Sequence, residues 1–446
     1  MKPATLKGTR DFLPKEVHRR NYIFNTIREV FQLYGYEPIE TPTMESLSTL
    51  TGKYGEEGDR LIFKILNNGE FLNNLDPAIL EEKDYKKIIP SISKRALRYD
   101  LTVPFARFVV QHRNDLQLPF KRYQIQPVWR ADRPQKGRYN EFYQCDVDVV
   151  GSKSLMYEAE LVKIYDEIYT RLKIKSEILV NNRKVLQGIA DAAGISNLFV
   201  EMTVAIDKLD KIGEEKVIAE MEKKGITAEQ AGVVMILIKC TTLDELQSSF
   251  ENSEVGLLGI KELRAFHQYL DQTETTNKIT FDPSLARGLN YYTGCIFEVK
   301  ALEAEIGSIG GGGRYDDLTS VFGMKDLSGV GISFGAARMY DVMLELDLFP
   351  EEITKTTQVL FASFDEESHV LSFKLANELR KKNISVDVYP ESVKMKKQLT
   401  YANNKQIPYV IVVGEEERNS GIFVLKNMDT GEQNRLTIEQ IAEALL

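Results

Sequence analysis

Pro127-Val128-Trp129-Arg130-Ala131-Asp132-Arg133-Pro134-Gln135-Lys136-Gly137-Arg138-Tyr139-Asn140-Glu141-Phe142-Tyr143-Gln144 is the stretch that decides the reading of this chain. Lys121 to Ala131 (KRYQIQPVWRA) predicts a strand, Glu141 to Gly151 (EFYQCDVDVVG) predicts a second, and DRPQKGRYN between them is a loop. Alternation in Asp146-Val147-Asp148-Val149 places both carboxylates on one face of the second strand. From Pro119 to Asn140 six basic residues stand against one acidic residue, which makes a local surface for a polyanion. Arg130 and Arg138 flank the loop. Elsewhere Arg287 precedes a glycine and Arg338 stands at a helix start. A guanidinium grips phosphate in a planar, bidentate way and keeps its charge.

Outward from this hairpin the chain reads as α+β. A helix is predicted from Pro14 to Tyr34, with Ile23, Ile27, Val30, Phe31 and Tyr34 on one face, Pro14 in the first turn and Gly35 as the stop. Tyr36 to Pro42 (YEPIETP) is extended, and its two prolines suit a sheet edge or an interface because each lacks a ladder donor. A helix follows near Ser154 to Leu172 and an apolar strand near Ile178 to Val180. Residues 182–262 are Lys/Glu-rich and helical in period. Between Glu201 and Arg264 there are 13 acidic and 8 basic residues, and this stretch reads as a helical insertion rather than part of a sheet. Strands return at Tyr291 to Val299, then a glycine-rich turn from Gly307 to Gly313, then a strand running into a helix (GVGISFGAARMYDVML). After Phe349 to Thr357 the chain alternates strand and helix to its end, which predicts a small sheet covered by helices. The segment Asn67 to Lys94 yields no reading.

The 446 residues are 43% apolar and 28% charged, with net charge −9, and lack the ~20-residue apolar run of a bilayer span. The charged N-terminus has no apolar core of a signal peptide, so a cytoplasmic protein is expected. Three scattered cysteines exclude a disulfide framework, and four isolated histidines give no zinc-like spacing, so no protein-bound metal is expected. Gly329-Val330-Gly331-Ile332-Ser333-Phe334-Gly335 is one residue too long for a dinucleotide fingerprint. It reads instead as close packing of a strand on a helix.

Five strings carry a resemblance that runs nearly end to end. KGTRDFLP with the long helix and YEPIETP resembles motif 1 of the class II aminoacyl-tRNA synthetases, PVWRADRPQKGRYNEFYQ resembles motif 2, and GVGISFGAARM resembles motif 3. ARGLNYYTG (286–294) and GGGRYDDL (311–318) resemble strings peculiar to the histidyl-tRNA synthetase family. The resemblance implies the class II antiparallel sheet with flanking helices. It assigns residues 1–181 and 263–348 to the catalytic domain, 182–262 to a helical insertion, and 357–446 to a small α/β anticodon-binding-like domain.

It also implies roles. Arg130 and Arg287 are the expected catalytic residues. Arg130, Arg138 and Arg338 bind ATP, which is a substrate and carries Mg²⁺ on its phosphates. Asp100 and Thr102 hold the amino group of L-histidine with Gln144 assisting and Leu101 in the same site, while Asp148 and Tyr292, beside Tyr291, bond the imidazole. A neutral imidazole has one donor and one acceptor, which a carboxylate and a phenol can satisfy. Arg133, Gln135 and Lys136 are expected at the acceptor end of histidine tRNA, and motif 1 implies a homodimer. Asn290 stands where the family more often has Asp, and Asp100 and Asp148 where some members have Glu. On the residues alone, Asp148 reads as a solvent-facing strand position and Tyr291-Tyr292 as sheet aromatics. Two rival readings are a non-catalytic regulatory subunit of ATP phosphoribosyltransferase, which lacks the anticodon domain, and another class IIa synthetase.

Overall fold

The computed structural model describes residues 2–52, 55–73, 75–286, 292–354 and 357–446. The chain forms two compact units, Met1–Leu348 and Phe349–Leu446. In chain order the strands of the first unit are β1 (Glu37–Pro38), β2 (Met44–Ser46), β3 (Lys64–Ile65), β4 (Arg95–Leu97), β5 (Phe120–Trp129) and β6 (Glu141–Val150). They continue with β7 (Ser176–Asn182), β8 (Lys278–Phe281), β9 (Cys295–Ala301), β10 (Gly310–Tyr315) and β11 (Gly329–Gly335). Eight of them make one sheet in the order β1-β5-β6-β11-β10-β9-β7-β8, antiparallel except for the parallel pairs at its two edges. A small sheet, β2-β4-β3, stands apart from it.

The helix Pro14–Leu33 starts as its proline predicts, and the Glu16 carboxylate caps it by accepting from the Leu13 backbone N–H at 2.7 Å. Ile23, Ile27, Val30 and Phe31 are buried, and Gly35 ends the helix with φ +75°. Pro38 then lies in β1 at the sheet edge, where the missing N–H costs no ladder bond. β5 and β6 form a ten-residue-per-strand hairpin in which Trp129 faces Glu141 and Arg122 faces Asp148.

Two expectations fail here. The glycine-rich segment 307–313 is not a turn: Gly310 to Gly313 are the first part of β10, between β9 and β11 in the sheet. Glycine serves close approach there, since a Cβ on Gly312 would lie 2.2 Å from the Gly331 carbonyl oxygen and one on Gly310 2.8 Å from the Tyr165 ring and the Tyr169 hydroxyl. The strand predicted from Tyr291 starts only at Cys295. Thr293 is held outside the ladder: its backbone N–H donates to the Arg314 carbonyl at 2.8 Å and its hydroxyl to Asp316 at 2.6 Å.

From Arg183 to Leu270 the chain is helical, opening on Asn182, whose side chain accepts from the Lys184 N–H. Within 67–94, short helices Pro77–Glu81 and Tyr85–Ile92 form, each N-capped by an aspartate, Asp76 and Asp84.

The second unit has its own sheet: β12 (Val359–Ser363), β13 (Val386–Val388), β14 (Tyr409–Val413), β15 (Phe423–Asn427) and β16 (Gln433–Leu436), ordered β13-β12-β14-β15-β16. The first three strands in that order are parallel and the rest antiparallel. Helices Glu366–Arg380 and Met395–Asn404 pack on it, with a core including Phe361, Leu379, Ile411 and Ile441. Sequence alternation missed β16 and the helix Glu415–Ser420, both short and strongly polar.

Candidate active site

The strands β5, β6 and β11 carry the centre of the first unit's sheet, and their ends open into a cavity of about 540 Å³. Its wall includes Arg130, Arg138, Gln144 and Arg338 together with Tyr99, Phe142, Ser308 and Ser333. Arg130, one residue beyond β5, donates from Nε to the Tyr99 carbonyl at 3.1 Å and stacks on the Tyr99 ring, 4.3 Å from its centroid, with Phe142 at 5.2 Å. Two aromatic faces and one carbonyl thus fix its planar fork at the cavity wall. Arg138, in the loop, is half exposed and 3.6 Å from Asp132. Arg338, in the helix Ala336–Glu345 that follows β11, donates to the Gly137 carbonyl at 3.0 Å and the Ser308 carbonyl at 2.5 Å. It ties the loop to the segment before β10.

Gln144 donates from Nε2 to the Ser333 hydroxyl at 3.0 Å, while its buried Oε1 has no donor among the described residues. A cavity-lining acceptor left open in this way suits an ammonium. Asp100 is buried at the start of the helix Thr102–Gln111 and accepts from the Val103 N–H, with Leu101 fully buried beside it and Thr102 the helix's first residue. Asp146, opposite Ser333 in the β6–β11 register, has its pKa pushed up to about 7. Burial is the main cause, Arg122 opposes it, and the charges of Asp148 and Asp100 add to it.

Asp148 is a correction to the residue-by-residue reading: it is not solvent-facing but 3% exposed. Both faces of this end of β6 are covered, so alternation there separates two buried sides. The carboxylate lies 2.7 Å from Arg122 Nη2 and accepts from the Tyr315 hydroxyl at 2.6 Å. Burial raises its pKa, and Arg122 and Tyr315 work against that rise. Tyr315 itself is held far above the usual phenol range by burial and by Asp148, so it stays a donor. Tyr292 packs near this group: its ring lies 2.9 Å from where a Gly313 Cβ would be. Gln144 and Asp148, four residues apart on β6, share one strand face.

Arg287, Asn290 and Tyr291 lie outside the described residues. Arg133 and Gln135 are exposed on the loop, and Lys136 is ion-paired with Glu345 at 2.9 Å. Sequence reading missed Tyr99, Phe142, Ser333 and Tyr315, and it counted Arg122 among the basic residues of a polyanion-facing surface, whereas that side chain is fully buried. Tyr315 was in plain view inside GGGRYDDL, whereas the pairing of Arg122 is found only by laying β5 against β6.

The cavity wall carries one carboxylate among the described residues, Asp132, beside three arginines. That donor set fits phosphate oxygens, with any Mg²⁺ held chiefly by the phosphates themselves.

No helix among the described residues is long and apolar enough to cross a membrane. A histidyl-tRNA synthetase family model matches residues 8–73 and 70–339, and an anticodon binding domain model matches 358–446. The histidine–tRNA ligase of Christiangramia forsetii is 53% identical, spanning 100% of this chain and 99% of the relative. That of Porphyromonas gingivalis is 55% identical over 98% and 97%. Among solved structures, the histidyl-tRNA synthetase of Nostoc sp. PCC 7120 superposes with TM-score 0.84 at 31% identity, over 100% of this chain and 99% of that one.

Proposed function

Because the chain belongs to the histidyl-tRNA synthetase family, we propose that the cavity bounded by Arg130, Arg138, Gln144 and Arg338 is where histidine and ATP react. The chain is an aminoacyl-tRNA ligase that activates histidine with ATP and charges histidine tRNA. The regulatory-subunit reading is not favoured, since this chain's relatives are ligases that match it along their whole length.

One observation supports the site assignment above the others: three guanidinium groups and an open acceptor, Gln144 Oε1, share one cavity wall. In the proposed first step the histidine carboxylate attacks the ATP α-phosphate and pyrophosphate leaves. Arg130 would bind the α-phosphate and the substrate carboxylate, Arg138 the γ-phosphate, and Arg338 the nucleotide. Negative charge spreads over the equatorial oxygens during in-line attack, and fixed cations there stabilise the transition state more than the ground state. Arg287 is assigned to the same α-phosphate. Asp100, Thr102 and Gln144 would receive the α-amino group, with Leu101 packed beside them, and Asp148 with Tyr292, beside Tyr291, the imidazole. In the second step the terminal adenosine hydroxyl of the tRNA takes the histidyl group.

Catalysis on this reading is positioning and charge stabilisation without a covalent enzyme intermediate. Mg²⁺ carried with ATP would neutralise phosphate charge. Arg133, Gln135 and Lys136 face the acceptor end, and the second unit binds the anticodon. We assign the helix Pro14–Leu33 and β1 to a homodimer interface, and the protein to the cytoplasm. ATP–pyrophosphate exchange with each amino acid in turn tests the reading: histidine alone should support it, and exchange with another amino acid, or with none, overturns it.

A further inference from the structure

Opposite Asp148, four residues along β6 from the cavity-lining Gln144, stands a group that the roles above leave unused. Arg122 is fully buried, yet it lies on β5 with its guanidinium 4.1 Å from the Phe105 ring centroid and 2.7 Å from Asp148. Cross-strand register puts the two residues directly opposite each other. On the other side Tyr315, from β10, donates to the second oxygen of the same carboxylate. Two glycines of β11 leave the space these side chains occupy. A Cβ on Gly331 would lie 1.9 Å from Asp148 Oδ1, and one on Gly329 would lie 2.3 Å from the Tyr315 ring. Four strands therefore converge on one carboxylate.

We infer that Arg122 is a positioning residue for side-chain selection, which together with the Tyr315 hydroxyl holds Asp148 as a charged, single-rotamer acceptor for a ring N–H of the substrate. This rests on the assignment of Asp148 to the imidazole. An isolated carboxylate buried this deeply would take up a proton and become a donor on one oxygen. The cation opposite it works against that change. Each carboxylate oxygen can accept two hydrogen bonds; Tyr315 takes one position on Oδ1, and Arg122 is an ion-pair contact to Oδ2 rather than an aligned hydrogen bond, so each oxygen keeps an acceptor position. Arg122 is itself anchored through Gln124, which it meets at 3.4 Å and which donates to Thr41 Oγ1 at 2.8 Å and to Gln126 Oε1 at 2.6 Å. Arg98 closes that chain by donating to Gln126 Oε1 at 3.0 Å and to the Thr41 carbonyl at 2.6 Å. The clamp is thus tied to the segment just after β1 and cannot swing as a unit.

The test is ATP–pyrophosphate exchange by the full chain, with histidine and ATP varied separately. Arg122→Met should raise KM for histidine by about 30- to 100-fold with KM for ATP within about threefold, because one partner of a buried charged pair is lost at the side-chain pocket only. Arg122→Lys, which restores a cation of poorer geometry, should recover at least about fivefold of that loss. Tyr315→Phe deletes one oxygen, leaves the packing, and should raise KM for histidine by about 5- to 20-fold. If Arg122→Met does not fold, the lysine and phenylalanine variants carry the test. A histidine KM within about twofold of wild type in the folded variants, or equal rises in both KM values, overturns the inference. Failure of the wild-type chain to exchange with histidine would instead overturn the site assignment, so the two failures are distinct.

Discussion

Asp148 and Gly331 face each other across the β6–β11 register, and the carboxylate of the first lies over the second so closely that a Cβ would fall 1.9 Å from Asp148 Oδ1. Gly331→Ala should therefore displace the carboxylate or the strand. The expected cost is about 1–3 kcal/mol of stability, the range for overpacking a buried site, with a raised KM for histidine. Denaturant unfolding and exchange kinetics check it; unchanged values in both would show that the Asp148 placement is wrong.

Arg130 is held by the Tyr99 carbonyl and two aromatic rings. Arg130→Lys keeps the charge but loses the planar fork and the stacking, so pyrophosphate exchange should fall by about 10²- to 10³-fold in kcat. The fold should be unaffected, as read by circular dichroism. Near-normal exchange would remove Arg130 from the reaction.

Asp146 gives a pH signature. Its native carboxyl keeps its proton up to about 7, whereas the unfolded chain releases it near the ordinary 3.8. Between those values the native state binds more protons, so this group's contribution to stability is complete below about pH 4 and is lost as pH rises towards 7. Asp146→Asn removes the ionisation. It should flatten that part of the stability–pH profile and raise Tm at about pH 8 relative to wild type. An identical profile in the variant would place the titration elsewhere.

Lys136 is exposed, and among the described residues its ion-pair partner is Glu345, also at the surface. Such pairs contribute little to folding. Lys136→Ala should leave Tm and pyrophosphate exchange unchanged while raising KM for tRNA about three- to tenfold, the loss of one phosphate or base contact. An unaltered tRNA KM would withdraw the acceptor-end assignment.

The second unit has a sheet and core of its own. Deleting residues 349–446 should depress tRNA charging far more than adenylate formation, since the cavity-lining residues all precede it. Equal loss of both activities would show that the unit supports the fold of the first.

Much of the fold was legible because local chemistry and tertiary structure agree. Pro14, the apolar face from Ile23 to Phe31 and Gly35 bound the first helix where they predict it. The two motif 2 strands lie within two residues of their predicted ends. Where the signals were two-valued, reading failed. A run of glycines encodes a turn or a close approach with equal economy, and only the Tyr165 ring and the Gly331 carbonyl beside β10 decide between them. Asp76 and Asp84 are ordinary N-caps, but the helices they begin are too short to leave a periodic trace.

By itself the sequence determined the family and a set of candidate residues: arginines, a glutamine and aspartates stand in strings whose types and order suit phosphate and ammonium. Tertiary structure decided which of them meet and which are charged. Asp148 alternates with valines as a surface strand residue would, and nothing local distinguishes a strand face open to water from one covered by other elements. Burial, and the guanidinium that answers it from the opposite strand, arise only when distant segments pack, because the electrostatic environment of a group is set by its neighbours in space.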